Sequence, residues 1–305
     1  MTRFRRIVLA GGTGFLGRAI LPRLMELADE VVTLTRGPAS VDGRERRVTW
    51  DARTAGPWVT EIDGADAIIN LVGRTVDCRK TPANRKVILD SRIDSVRALA
   101  AAVQKSNQPP RVWVQASTAH IHGDTNDEIL GDDAPIGTGF APQVGLAWEA
   151  AINHADLPHT RRVLLRTTFV LGRRGGPLIK LKRLAKLGLG GTVGNGRQWI
   201  SWIHEEDFAA IVTRALTDDS MHGHYLVTAP EPVTNATFMR DLRRAVHRPW
   251  SPPTPAPLVH LGAWLMNTDP ELALLGRRCV PTRLLGEGFH FDHPTLPEAL
   301  KSLLT

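Results

Sequence analysis

The chain has 305 residues, 42% hydrophobic and 23% charged, enough for one large α/β domain or two smaller ones with a sizeable core. Its formal net charge of +7 is spread along the chain with no basic run interleaved with aromatics; this argues against nucleic acid as a partner and reads first as an ordinary solvated surface, whose positive field would also favour a phosphate-bearing cofactor. Two lone cysteines, Cys78 and Cys279, lack metal-ligand or redox spacing and suit a reducing, cytoplasmic setting; no apolar run approaches membrane-spanning length, and the basic opening from Thr2 to Arg6 is cut short as a leader by the glycines and Arg18 that follow.

In chain order, short apolar runs alternate with helical periodicity. Residues 7–10 read as a strand, 14–26 as a helix, and 30–35 and 47–50 as the second and third strands. Residues 67–71 follow as the fourth strand. A long helix over 86–103 carries Val87, Ile88, Val96 and Leu99 on apolar spacing. Residues 112–115 read as the fifth strand, 145–154 as a helix and 162–166 as the sixth strand. This alternation implies an α/β fold, a doubly wound parallel sheet of the Rossmann kind covered on both faces. After Leu171 glycines crowd residues 172–196, and prolines crowd 252–257. The texture predicts a dinucleotide-binding domain over 1–172 and a smaller C-terminal substrate lobe over 173–305. Residues 203–229 are expected to return to the sheet.

The first strand runs into Gly11-x-x-Gly14-x-x-Gly17 and then a helix. Gly11 permits the tight turn, Gly14 lets backbone approach a pyrophosphate, and Gly17 lets helix and strand pack closely. Unpaired N–H groups near Thr13, Phe15 and Leu16, with the helix dipole behind them, attract the anion. The second strand ends Thr35-Arg36, with no Asp or Glu between Glu30 and Asp42. An NAD site wants a carboxylate here, whereas Arg36 suits a 2′-phosphate, so the expected cofactor is NADPH. Asp51 reads either as an acceptor for the adenine amine or as a turn residue. Leu71 and Gly73, after the fourth strand, read either as dinucleotide contacts or as plain core.

These residues, taken with Ser91-Arg92, Trp148-Glu149, Arg166, Val170-Leu171-Gly172 and Trp202-Ile203-His204 with Asp207, resemble the extended short-chain dehydrogenase/reductases. The tail Val280-Pro281-Thr282-Arg283-Leu284-Leu285, Gly288-Phe289-His290-Phe291 and Pro294-Thr295-Leu296 resembles the C-terminal domain of their atypical epimerase-family, cell-division-inhibitor-like branch. The resemblance spans nearly the whole chain and implies an NADP(H)-binding protein. It also exposes a gap. The only tyrosine is Tyr225, with no lysine four residues on, and the Tyr and Lys positions of the superfamily fall near Val144 and Trp148. Within 117–123, where relatives carry tyrosine before the glycine, this chain has Ile121 and His122. The departures are similar to those of the atypical ketoreductases of aromatic polyketide (angucyclinone) biosynthesis, which implies a small-molecule aromatic ketone as substrate.

For the chemistry, Ser117 is the expected carbonyl donor at the C-terminal end of the fifth strand, with Thr118 beside it; local backbone bonding is the plain alternative. Ser95 shares a helix face with Ser91 and reads either as a substrate contact or as part of a polar face. His122, with His120, is a candidate acid or base, and alternation puts both on one side of an extended segment. No third ligand with recognisable spacing accompanies them, so no metal is expected. His204, His290 and His293 are weaker candidates. With Tyr and Lys gone, a substrate carrying its own acidic hydroxyl beside the carbonyl can supply the proton, leaving the protein to orient it and exclude water.

Overall fold

The computed structural model describes residues 3–248 and 250–305, so Thr2 of the basic opening lies outside the described residues. The first half alternates β1 (Phe4–Ala10), α1 (Phe15–Leu27), β2 (Ala28–Thr35), β3 (Ser40–Asp42), β4 (Glu45–Thr49), β5 (Ala67–Asn70), α2 (Pro82–Gln104) and β6 (Val112–Thr118). It continues through β7 (Ile129–Leu130), α3 (Phe140–Asn153), β8 (Arg161–Thr167), β9 (Phe169–Leu171), α4 (Pro177–Lys186), β10 (Trp199–Ile200) and β11 (Trp202–His204). Then come α5 (Glu205–Thr217), β12 (Gly223–Val227), β13 (Val233–Thr234), α6 (Asn235–Ala245), α7 (Ala256–Leu265), α8 (Glu271–Leu274), β14 (Arg278–Cys279), α9 (Thr282–Gly286) and α10 (Leu296–Leu304).

Eight strands form the central sheet in the order β12-β8-β6-β5-β1-β2-β4-β3. All pairs are parallel except the β3–β4 edge. The reversal of strand order at β1 opens a crevice at the carboxyl ends of β1 and β5, where this class of sheet binds ligands. Strand residues alternate between two buried layers, as expected when helices cover both faces. Ile7, Leu9, Val31, Ile69, Val114 and Leu165 pack toward α1 and α5. Val8, Val32, Leu34, Ile68 and Trp113 pack on the opposite side with α2 and α3.

Several elements differ from the sequence reading in ways that matter for the site. Thr81 caps α2, accepting the Asn84 N–H, and Pro82 follows at the first helical position, so this helix starts earlier than its apolar spacing suggests. Strand β6 continues through Ser117 and Thr118. Residues 119–122 then form one 3₁₀ turn, not an extended run, so His120 and His122 do not alternate along a strand. The short edge strand β3 carried no signal that the apolar periodicity could reveal; all three residues are exposed.

A further cluster of Leu171, Trp202, Phe238, Leu242, Leu296 and Leu300 forms a separate apolar core. The glycine-rich and proline-rich stretches pack on each other: a Cβ on Gly191 would lie 1.7 Å from the Pro252 carbonyl oxygen. Val193 also pairs with Thr254 as a lone bridge. Among the described residues no helix is long and apolar enough to cross a membrane.

Candidate active site

The first turn is built for an anion. Gly11 has φ +83°, and a Cβ there would meet the Leu71 carbonyl carbon at 3.1 Å, so both its conformation and its neighbour demand glycine. A Cβ on Gly17 would lie 2.4 Å from Gly12 Cα, which makes it the close-packing residue between helix and turn. Gly14 caps α1 in extended conformation, with no side-chain cap and no acidic residue in the first turn. The N–H groups of the first turn therefore keep their hydrogen-bonding capacity and the positive end of the dipole is not neutralised. Thr13 and Gly14 are exposed at this point, and Phe15 and Leu16 half-buried. The Phe15 ring lies where Cβ atoms on Gly172, Gly175 and Gly176 would collide with it at 2.1–2.8 Å, so part of the glycine crowding makes room for this one side chain. These residues fit a dinucleotide pyrophosphate.

At the end of β2 the Thr35 hydroxyl accepts the Gly37 N–H at 3.1 Å, holding the turn that presents Arg36. Arg36 is exposed and makes no ion pair among the described residues. Asp51 resolves toward its turn role. Its carboxylate accepts the Arg53 and Thr54 N–H groups and the Thr54 hydroxyl at 2.6–2.8 Å. These bonds, the Thr54 hydroxyl first, pull its pKa down to about 2. Leu71 packs against both core layers, and its N–H bonds Ala10, binding the 71–73 segment to the first turn.

The C-terminal end of β6 is arranged differently. Ser117 is buried, and its hydroxyl donates to Glu149 Oε1 at 2.6 Å. Glu149 in turn takes a bidentate pair of bonds from Arg166, both 2.9 Å. Burial pushes the Glu149 carboxyl upward, but Arg166 and Ser117 outweigh it and the net shift is down. The proton of Ser117 is thus committed to a buried ion pair, which corrects its expected role as carbonyl donor. Strand alternation turns the next side chain, Thr118, to the other face, where it is half-buried. Its Oγ1 accepts the His120 N–H at 3.1 Å, leaving its own proton available. Thr118 therefore keeps the free hydroxyl proton that Ser117 lacks.

Ser95 is fully buried, a second correction. Its hydroxyl donates to Arg92 O at 2.9 Å and accepts from Asn70 Nδ2 at 3.3 Å, while Asn70 also donates to Gln115 Oε1 at 3.1 Å. The network joins α2 to β5 and β6 beneath the cleft floor; Ser91, four residues earlier, accepts the Arg74 N–H at 3.0 Å. His122 is buried with Nδ1 2.8 Å from Pro135 O. A carbonyl only accepts, so Nδ1 carries the proton. Burial lowers the His122 pKa, so the ring is neutral and tied to the backbone, poorly suited to acid catalysis. His120 is half-buried edge-to-face with Phe169 and is held well below the usual range by burial, then by the charges of Arg277, Lys80 and Arg92. Tyr225 lies on β12, its hydroxyl donating to Glu287 at 3.0 Å and accepting from Arg283 at 2.7 Å. It belongs to the strut between β12 and α9.

Among the described residues one His/Glu group has metal-like proximity: the ligand atoms of His204, Glu206 and His293 lie within 4.8 Å of one another. His204 Nδ1, however, accepts the Glu206 N–H at 3.0 Å as the cap of α5, which puts its proton on Nε2 and uses up its lone pair. The nearby Asp207 accepts the Asp292 and His293 N–H groups at 2.8 and 3.1 Å, so this group fastens the C-terminal tail to α5.

Comparison with known proteins agrees with this architecture. The model of the NAD dependent epimerase/dehydratase family matches residues 7–228. The chain belongs to this family. A domain of unknown function, DUF1731, matches residues 254–303. The human epimerase family protein SDR39U1 is 33% identical over 98% of this chain and 99% of its own length. Epimerase family protein YfhF of Bacillus subtilis is 32% identical over 98% of this chain and 97% of its own. A crystal structure of human SDR39U1 (isoform 2) with NADPH superposes with a TM-score of 0.87 at 32% identity, covering 98% of this chain and 99% of that one. Val144 and Trp148 on α3 are both buried, and neither side chain can exchange a proton.

Proposed function

We propose that this chain is an NADPH-dependent ketoreductase that reduces the carbonyl of a bulky aromatic, polyketide-type substrate without a Tyr-Lys pair. The observation that carries this reading is the pairing of an intact cofactor turn with an α3 helix whose Val144 and Trp148 bear no acid or base. NADPH, when bound, supplies a hydride to the carbonyl carbon. The first-turn N–H groups of α1 hold the pyrophosphate, and Arg36 meets the 2′-phosphate; the human relative crystallised with NADPH supports this choice. Thr118 donates a hydrogen bond to the carbonyl oxygen. The proton comes from a hydroxyl of the substrate beside the carbonyl, or from water, and the protein contributes orientation.

A bulky apolar substrate is supported by the surroundings. Helix α7 exposes Leu258, Leu261, Trp264 and Leu265. Its C-terminal end is tied to the segment after Gly73 by Arg79 donating to Trp264 O at 2.6 Å and by the Lys80–Asp269 ion pair at 3.0 Å. Apolar surface thus adjoins the reactive end of the cleft. Epimerisation of a sugar nucleotide would begin with oxidation of an unactivated alcohol, which needs a base, and no base occupies either α3 position. Loss of NADPH absorbance with a panel of quinonoid polyketides tests the reading. Turnover of UDP-sugars instead would establish the epimerase or dehydratase alternative, and tight binding without turnover on any substrate would make the chain a cofactor sensor.

A further inference from the structure

Arg92 is a charged side chain that meets the segment after β5 at Gly73. It projects from α2, and its guanidinium carbon lies 4.8 Å from the centre of the Trp148 ring. A Cβ on Gly73 would come within 3.2 Å of both its Cζ and Nη2. Nη1 is satisfied by the carbonyls of Ile88 at 2.9 Å and Arg74 at 3.1 Å. Nε and Nη2 make no hydrogen bond, and no carboxylate pairs with Arg92, among the described residues. Arg92 is half-buried, and its Nε and Nη2 keep their hydrogens free for a ligand. Burial lowers its pKa to about 10, which leaves it charged at neutral pH.

Position defines the ligand. Gly11 abuts Leu71 and Val72, so a dinucleotide lying across the first turn passes along the 71–73 segment toward its nicotinamide end. Gly73 is where the guanidinium waits. Trp148, which stands at the superfamily's lysine position, carries that guanidinium on its face. We propose that Arg92 is the cation of the nicotinamide half of the site, replacing from α2 the lysine that α3 lacks, and that it makes the protein discriminate between the two redox states of the cofactor. The planar fork donates Nε–H and Nη2–H to oxygens of the nicotinamide ribose. Its charge is neutral in effect toward the reduced ring, which is uncharged, and repels the oxidised ring, which is positive. Reduced cofactor is thereby retained and oxidised cofactor released. The inference rests on the dinucleotide reading of the preceding section.

Calorimetric titration of NADPH and of NADP+ into the full chain tests it without any substrate. Wild type binds NADPH more tightly than NADP+, and Arg92→Met shifts the ratio of the two dissociation constants toward NADP+ by about five- to tenfold, the effect of one partly screened charge at this range. Arg92→Lys keeps most of the preference. Arg92→Gln, which retains donors for the Ile88 and Arg74 carbonyls, gives the same shift and serves where the methionine variant does not fold. A purely structural arginine would change both affinities together, so an unchanged ratio in a folded Arg92→Met or Arg92→Gln protein overturns the proposal while leaving the cofactor reading intact. Failure of wild type to bind either form overturns both.

Discussion

The two halves of the cleft are built from different material. The pyrophosphate half, at the start of α1, is made of backbone: glycines 11, 14 and 17, unpaired N–H groups and a dipole. The other half, where β6 meets α3, is made of side chains, and most of its polar ones are turned inward. Ser117 serves the Glu149–Arg166 pair, Ser95 serves Asn70, and His122 serves Pro135. Less completely buried are Thr118, a neutral His120 and Arg92. A backbone-built site tolerates few substitutions and survives changes of substrate. A side-chain site can be rebuilt without disturbing the fold, and this chain holds no Tyr-x-x-x-Lys pair.

The sharpest way to break this contrast is at the buried ion pair. Glu149→Ala strands Arg166, whose side chain is only 7% exposed; the expected loss is about 3–5 kcal/mol of folding free energy, read by urea denaturation. If Glu149 were instead a catalytic group, stability would be nearly unchanged. The same carboxyl sets an acid limb. Its folded pKa lies below its ordinary value of 4.5, so its contribution is fully present above that value and is lost as pH falls through the folded pKa. The stability gap between wild type and Glu149→Gln is therefore expected to narrow below pH 4.5 and to stay level above it.

Gly17→Ala forces a methyl into the Gly12 backbone, with an expected cost of about 2–3 kcal/mol and loss of measurable NADPH binding. Retained binding would show that close helix–turn packing is dispensable. Ser117→Ala removes a hydrogen bond to a charged acceptor, for about 1.5–3 kcal/mol of stability. Its turnover should stay near wild type once folded, whereas Thr118→Val should lower kcat about 10²-fold, as expected for loss of one oxyanion donor. The reverse ranking would return Ser117 to catalysis. Arg36→Ala should weaken NADPH about tenfold and leave NADH unaffected, read by calorimetry. The smallest effect belongs to Asp51→Asn, which should leave NADPH affinity unchanged, since that carboxylate is spent on its own turn.

The amino-acid order alone carried the parallel sheet, the strand–turn–helix at residues 7–17 and the exposed arginine at the end of β2. These depend on short-range rules: apolar periodicity, glycine's lack of a Cβ, and the absence of a carboxylate where one would be needed. It also revealed the missing Tyr-Lys pair, because an absence of residue type needs no coordinates. Which way Ser117, Ser95 and His122 turn was beyond its reach. Each outcome was set by a partner far along the chain: Glu149 is 32 residues from Ser117, Asn70 is 25 from Ser95, and Pro135 is 13 from His122. The approach of Arg92 to Gly73 and Trp148, and the seating of Phe15 among Gly172, Gly175 and Gly176, are of the same kind. A polar side chain buried in an α/β protein goes where its hydrogen bonds can be satisfied, and that location exists only once the sheet has brought distant segments together.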